Sequence, residues 1–200
     1  MSTPQNLPTR TALSLPAAPA AHATKRHRVT GLSLVEICCA LAILSILSCS
    51  AWPSLANLWD NARMQGRSQE LAGDLLMLRS QAIARNQDLR ITVLNDDQGS
   101  CYVLHDGGPR DCTCSSQGSA QCSAPSASAF KSVGFPKEGG LSLRASAGSI
   151  LFDPLLGGAA PGGTIRLMDR QGREIRHIVS LRGRVRTCAA GTGASGHPPC

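Results

Sequence analysis

The sequence predicts an α+β fold in which a long N-terminal helix packs on a mostly antiparallel β-sheet. Apolar residues recur at helical spacing up to about residue 86, and they alternate with a period of two in short segments from residue 89 onward. Turn sequences such as NDDQG and DRQG separate several of these segments, which is typical of hairpins. A helix followed by strands, rather than alternating with them, indicates the α+β class.

The first half of the predicted helix is apolar enough to enter a membrane. Residues 32–52 form a 21-residue block with one charged side chain, Glu36. As a helix this block measures about 30 Å, the thickness of a bilayer core. Lys25, Arg26 and Arg28 directly precede it, and basic residues favour the cytoplasmic side. We therefore expect one membrane pass with a cytoplasmic N-terminus.

Glu36 distinguishes this block from an ordinary membrane anchor. A lone carboxylate costs about 2 to 3 kcal/mol near the centre of a spanning helix, and less near its end. A plain anchor gains nothing in return, although it remains an alternative. A secretory signal peptide fits less well, because the apolar block is long and no clear Ala-x-Ala cleavage site follows it.

Beyond Pro53 the pattern becomes amphipathic. Leu71, Leu75, Leu78 and Ala82 recur at intervals of four, three and four residues, so residues 53–86 are predicted to continue the helix and cover a sheet. The charged residues between them are most simply a solvated face.

Residues 87–200 are predicted to form a strand-rich domain outside the cytoplasm. Strands are expected at residues 89–94, 100–105, 141–145, 149–152, 164–169 and 173–180. His177 shares strand parity with Ile175 and Val179, which predicts a core histidine rather than a ligand. Residues 112–129 are rich in Ser and Ala and predict a low-complexity loop, mobile unless its cysteines tie it down.

Six of the nine cysteines lie beyond the apolar block, a number typical of an oxidising compartment. They are Cys101, Cys112, Cys114, Cys122, Cys188 and Cys200. The simplest pairing joins Cys188 to Cys200, whereas the partner of Cys101 is left open. A zinc site made by Cys112, Cys114, Cys122 and His105 is disfavoured, because one intervening residue is unusual spacing for zinc ligands.

The net charge of +7 does not by itself indicate nucleic-acid binding. Residues 1–31 hold four basic residues and no acid, and the remainder has 16 basic and 13 acidic residues. One local cluster stands out between residues 164 and 186, where seven arginines accompany two acids. Its members are Arg166, Arg170, Arg173, Arg176, Arg182, Arg184 and Arg186, with Asp169 and Glu174.

The end of this cluster has a spacing suited to phosphates. Gly183 permits a turn into a final strand on which Arg184 and Arg186 would project to one face, with Val185 toward the core. Their guanidinium groups would then lie about 7 Å apart, which matches successive phosphates of a nucleic-acid strand. A solvated edge strand that uses charge against aggregation explains the same residues, and both interpretations remain open.

The segment GLSLVE, residues 31–36, followed by an apolar helix resembles the type III signal of type IV pilins and pseudopilins. The resemblance implies that a prepilin peptidase cuts between Gly31 and Leu32 and that the new N-terminus at Leu32 is methylated. Residues 1–31 would then be a leader. Glu36 would become the fifth residue and pair with the N-terminal ammonium of a neighbouring subunit during filament assembly. Pro53 lies where type IV pilins often carry a helix-bending proline.

The C-terminal part resembles the FimT/GspH subgroup of this family. The segment FDPLLGGAAPGGTIRLMDRQGREIRHIVSLRGRVRTC, residues 152–188, contains the Phe-Asp-Pro, Gly-Thr-Ile and Gly-Arg-x-Arg patterns of that subgroup. In FimT-type minor pilins the last pattern is associated with DNA capture. The resemblance implicates Gly183, Arg184 and Arg186, with Arg182 and Arg176 as added positive charge.

No catalytic motif, metal site or cofactor motif is found in the sequence, so we expect a protein that is not an enzyme. The resemblance implies a minor pilin or pseudopilin, with other pilins, the peptidase and the bacterial inner membrane as partners, and with DNA as a further candidate. The C-terminal domain would be periplasmic before it joins a pilus or pseudopilus. The alternatives are a type II secretion pseudopilin that does not bind DNA and a membrane-tethered periplasmic binding domain without a filament.

Overall fold

The computed structural model describes residues 31, 33–191 and 196–200, without the side chains of residues 49–54 and 56. It divides into two compact units between Ile46 and Leu47. One helix, α1, covers Leu34–Arg85 and contributes to both units. It ends where Asn86 adopts a left-handed backbone with φ 50° and the N–H of Gln87 bonds to the carbonyl of Ala82.

The strands of the second unit are all paired antiparallel, as the sequence predicts, but they divide among three sheets. The first sheet has the order β5-β2-β1-β7-β8, the second has the order β11-β10-β9-β6, and β3 and β4 form a separate hairpin. The strands are β1 Leu89–Asp96, β2 Gly99–His105, β3 Cys112–Cys114, β4 Ala120–Cys122, β5 Ala129–Pro136, β6 Leu141–Ala145, β7 Ser149–Phe152, β8 Ala159–Ala160, β9 Gly163–Asp169, β10 Glu174–Val179 and β11 Val185–Ala190. A short 3-10 helix, Lys137–Gly139, precedes β6.

The amphipathic stripe of α1 forms the centre of the core. Leu71, Leu75, Leu78 and Ala82 are all buried, and they join apolar side chains from both larger sheets in one cluster. Truncation of a buried leucine to alanine typically costs about 2 to 5 kcal/mol. The prediction that this part of the helix covers a sheet is therefore confirmed.

The segment 112–129 is not the irregular loop that its composition predicts. Cys112 is bonded to Cys122 across the hairpin of β3 and β4, and Cys114 is bonded to Cys101 of β2. The connection between the two strands packs against Gly134 of β5, where a Cβ atom would lie 2.1 Å from the carbonyl oxygen of Ser116. The two disulfides order a segment whose Ser- and Ala-rich composition does not by itself favour strands. Their sulfur atoms are joined to one another, so the alternative zinc site is not formed.

The C-terminal tail is held beside β11, the edge strand of the second sheet. Cys188 and Cys200 form a disulfide, which is the pairing that the sequence favours. The N–H of Ala189 donates to the carbonyl of Pro198, and the N–H of Cys200 donates to the carbonyl of Ala189. The tail therefore covers the end of β11 that lies away from the turn at Gly183.

Polar contacts made by Asp74 and Ser68 link α1 to the strands. The hydroxyl of Tyr102 donates to Asp74 at 2.5 Å, and Lys131 forms an ion pair with the same carboxylate at 2.8 Å. Ser68 and Thr187 lie 3.3 and 3.1 Å from the two ring nitrogens of His177. His177 is fully buried, as its strand parity predicts.

The stability of the fold should depend on pH through His177. Burial, with a smaller contribution from nearby His197, lowers the pKa of His177 to about 4. Between pH 6.5 and 4 the unfolded chain takes up a proton that the folded chain does not. The free energy of unfolding should therefore fall by about 3 kcal/mol over this interval, with no further loss from this group below it.

Urea titrations of the full-length protein in neutral detergent, monitored by circular dichroism, measure this dependence. The matched variant is His177→Gln, which keeps a polar side chain but does not titrate. Between pH 6.5 and 4 its free energy of unfolding should fall by about 3 kcal/mol less than that of the parent. An equal fall in both proteins would contradict the attribution of this pH dependence to His177.

Removal of the C-terminal disulfide should destabilise the edge of the second sheet. The 12-residue separation of its cysteines corresponds to about 3 kcal/mol of loop-closure entropy. A Cys188→Ser/Cys200→Ser variant should therefore unfold at lower urea, and the amide of Ala189 should exchange faster with deuterium. Cys38→Ser/Cys39→Ser, which removes two free thiols, serves as the control. Equal exchange at Ala189 in the two variants would refute the expectation.

Candidate functional site

The N-terminal part of α1 exposes an unusual amount of apolar surface. The side chains of Leu34 and Val35 are 76% and 68% exposed. Six more large apolar residues before residue 48 are also exposed, and they are Ile37, Leu41, Ile43, Leu44, Ile46 and Leu47. Within the part of the chain that is described, no helical segment combines the length and hydropathy that crossing a bilayer requires.

The residues of the predicted processing site are placed only in part. Gly31 and Glu36 are exposed, and Glu36 lies in the first turn of α1. The described residues do not include Leu32 or residues 1–30. The side chains of residues 49–54, some of which belong to the predicted apolar block, are also not described. Of the described residues, none forms an ion pair with Glu36.

The structure divides the seven clustered arginines into two groups. Four are held by neighbouring groups of the fold: Arg173 by Asp169 at 2.5 Å, Arg176 and Arg166 by Glu174 at 2.6 and 3.8 Å, and Arg170 by the carbonyl oxygens of Lys137 and Glu138. The other three, Arg182, Arg184 and Arg186, are exposed. Among the described residues, no acceptor or ring lies against their guanidinium groups. The positive charge without a partner is therefore concentrated at the turn between β10 and β11.

This turn places the arginines somewhat differently from the expectation. Arg182 and Gly183 lie in the turn, Arg184 directly precedes β11, and only Arg186 lies within the strand. The N–H of Gly183 donates to the carbonyl of Ser180, and the carbonyl of Arg184 accepts from the N–H of Ser180. Because these bonds extend the pairing of β10 and β11 by one position, Arg184 and Arg186 still share the outer face.

A second loop holds the turn in place, and sequence reasoning did not identify its residues. A Cβ atom at Gly183, which has φ 71°, would lie 1.8 Å from the carbonyl oxygen of Gly157. The same oxygen accepts a hydrogen bond from Nε of Arg79 on α1 at 2.9 Å. The N–H of Ala159 donates to the carbonyl of Leu181 in the turn. Gly183 therefore permits both the left-handed backbone and the close approach of this loop.

Asp153 shapes the loop that supports the turn. Its carboxylate accepts hydrogen bonds from the N–H groups of Leu156, Gly158 and Leu155 at 3.0, 2.7 and 2.9 Å. The bond from Leu156 contributes most to lowering the pKa of Asp153, which outweighs the opposing effect of burial. A Phe-Asp-Pro pattern directly after a predicted strand is the signal that would have identified this residue.

The described residues offer little that resembles an enzyme site. Among them, no group of three or more His, Cys, Asp or Glu side chains is placed to hold a metal ion. The two histidines of the sheets, His105 and His177, are buried and bonded to hydroxyl groups. Of the seven arginines between residues 164 and 186, the three without a partner in the described part of the chain lie at or beside the turn at Gly183.

The model of one protein family, described as type II transport protein GspH, matches residues 67–183. Arg184 and Arg186 lie just beyond that match. A search of curated proteins finds no significant relative.

Three solved structures resemble the chain at low identity. Two are crystal forms of the type IV minor pilin FimU of Pseudomonas aeruginosa, strain PAO1. The first has 17% identity and a TM-score of 0.45, covering 67% of this chain and 96% of that one. The second has 19% identity and a TM-score of 0.46, covering 70% and 95%. The third, the minor pseudopilin EpsH from the type 2 secretion system of Vibrio cholerae, has 17% identity and a TM-score of 0.44, covering 64% and 98%.

Proposed function

The chain belongs to the family of type II transport protein GspH, whose model matches more than half of its length, and we propose that it is a minor subunit of a pilin-type filament. The observation that carries this proposal is the exposed apolar surface at the start of α1. A large uncovered apolar surface marks contact with a membrane or with another protein. In a filament subunit, the bilayer covers such side chains before assembly and neighbouring helices cover them afterwards.

Each segment of the chain has a place in this process. Residues 1–31 are a prepilin leader, and residues 32–52 hold the precursor in the bacterial inner membrane. Residues 53–86 continue the helix, and residues 87–200 form the periplasmic domain. A prepilin peptidase cuts between Gly31 and Leu32, and the amino group of Leu32 is methylated before the subunit joins its filament.

Glu36 is proposed to pair with the N-terminal ammonium of an adjacent subunit. Glu36 lies in the first turn of α1, where the interaction of its carboxylate with the helix dipole stabilises the helix by about 0.3 to 1 kcal/mol. The cost of a carboxylate within the membrane is about 2 to 3 kcal/mol near a helix centre and less near its end, so at this position it is comparable with that gain. An ion pair with a neighbouring subunit would stabilise the carboxylate further, because a buried charge is tolerated when it is paired.

The turn at Gly183 is proposed to bind DNA through the phosphate backbone. Arg182, Arg184 and Arg186 present three unpaired guanidinium groups on a turn that is fixed by the loop of Asp153 and Gly157. Arg176 contributes less than the sequence suggests, because Glu174 occupies its guanidinium at 2.6 Å. Contacts of this kind are independent of base sequence. They suit a filament that takes up DNA from outside the cell.

A type II secretion pseudopilin that does not bind DNA is the second candidate. The description of the matching family favours it, because that description refers to type II transport. In this case the free arginines would keep the edge of the sheet soluble and prevent its pairing with other strands. The two candidates share the leader, the helix and the assembly step, so they differ only in what the turn binds.

Processing and assembly test the filament proposal. Coexpression of the full-length chain with a prepilin peptidase should remove 31 residues, as measured by intact mass, and a Gly31→Leu variant should stay uncut because its bulk blocks the site. The Glu36→Gln variant should be cut normally but should fail to copurify with other pilins. An uncut parent would favour a membrane-tethered binding domain, and normal assembly of Glu36→Gln would contradict the ion pair.

Salt titration tests the DNA proposal. If Arg184 and Arg186 each contact a phosphate, Arg184→Gln/Arg186→Gln should flatten the slope of log K against log salt by about two units. The measurement uses full-length protein in neutral detergent and a labelled duplex. Arg85→Gln/Arg110→Gln removes the same charge from exposed positions away from the turn. Equal slopes for the two variants, or a parent that does not bind, would favour the secretion pseudopilin.

A further inference from the structure

The outer face of the second sheet carries an arginine row that extends away from the turn. The buried side chains of β10 are Ile175, His177 and Val179, so its other side chains face outward. On that face Arg144 of β6 is directly opposite Arg166 of β9, and Arg166 is directly opposite Arg176 of β10. Arg186 of β11 lies on the same face opposite Ile178, which is two residues beyond Arg176 on β10.

The stability of the sheet does not explain this arrangement. Like charges directly opposite one another on adjacent strands are destabilising. Glu174 offsets part of the repulsion through Arg176 and Arg166. Arg144 is exposed, and none of the ion pairs formed by the described residues includes it. The row therefore retains excess positive charge at its far edge, on β6, as well as at the turn.

We propose that this face binds duplex DNA across a groove, with Arg184 and Arg186 on one phosphate backbone and Arg144 on the other. The inference rests on the proposed DNA binding and adds the form of DNA and a second contact region. Three strand spacings separate β6 from β11, or about 14 Å across the strands, and Arg186 is offset from Arg144 by two residues along them. The major groove of B-form DNA is about 12 Å wide. The two edges of the sheet therefore reach the phosphates on both sides of one groove.

The chemistry of the face also favours a duplex over a single strand. Proteins that bind single strands combine basic residues with aromatic side chains on which bases stack. The four strands of this sheet contain no Phe, Tyr or Trp. The outer face instead offers guanidinium groups among small or aliphatic side chains, which suits a flat contact with two phosphate backbones.

Arg144→Gln tests the far contact. In salt titrations of the full-length protein in neutral detergent, this variant should flatten the slope for a duplex by about one unit. Its binding to a single strand of the same sequence should be unchanged. Arg110→Gln, which removes an exposed arginine from the connection between β2 and β3, should leave both slopes unchanged.

Glu174→Gln provides a test in the opposite direction, because misfolding does not produce a gain of binding. Loss of this carboxylate releases Arg166 and Arg176, so the slope for duplex DNA should become steeper by about one to two units. Asp88→Asn, which removes an exposed carboxylate before β1, is the control of equal charge. Its slope should match that of the parent.

The outcomes separate the two proposals. Equal effects of Arg144→Gln and Arg110→Gln on the duplex slope would overturn the contact across a groove and leave DNA binding by the turn intact. An equal loss of salt dependence by Arg144→Gln on duplex and on single-stranded DNA would also overturn the contact across a groove. A salt slope for Glu174→Gln that is no steeper than that for Asp88→Asn would overturn it as well. A parent that binds neither form of DNA would remove the proposed function together with this inference.

Discussion

The packing of the apolar stripe of α1 against the two larger sheets is the contact on which the rest of the second unit depends. Leu71, Leu75, Leu78 and Ala82 are almost completely buried in the same cluster as side chains from both sheets. The sheets also share direct bonds, such as that from the N–H of Leu143 to Ser100 at 2.8 Å. The inner face of β10 is fixed by this core, and its outer face is therefore fixed as well, because strand side chains alternate.

The position of the arginine turn follows from this packing through a short series of contacts. Arg79 lies on the packed part of α1 and donates to the carbonyl of Gly157. Asp153 holds the surrounding loop by three backbone hydrogen bonds, and Gly157 in turn lies against Gly183. Because its backbone is already fixed, such a turn would lose less conformational entropy if a ligand bound to it. The same helix thus exposes apolar side chains in its N-terminal part and supports the arginine turn through Arg79.

The sequence identified the regular parts of the fold better than the segment rich in cysteine. The strands at 141–145 and 149–152 have the predicted limits because the first alternates apolar and polar residues, the second is a short apolar run, and turn residues bound both. The hairpin of β3 and β4 and the whole of β5 were missed. The Ser- and Ala-rich segment gives no period of two, and the order of the hairpin comes from disulfides whose pairing depends on which strands are adjacent. Cys188 and Cys200 were easier to pair because they enclose the short final segment of the chain.

The sequence by itself determined the α+β class, the amphipathic helix, the buried position of His177 and the presence of a basic cluster near the C-terminus. These features depend on periodicity and composition, which are local properties of the chain. Only the tertiary structure decided which arginines keep a free charge. Asp169 and Glu174 neutralise some of them, and strand register places Arg144, far away in sequence, opposite Arg166. Charge pairing across strands depends on register, and register is set by burial of the whole core rather than by any segment alone.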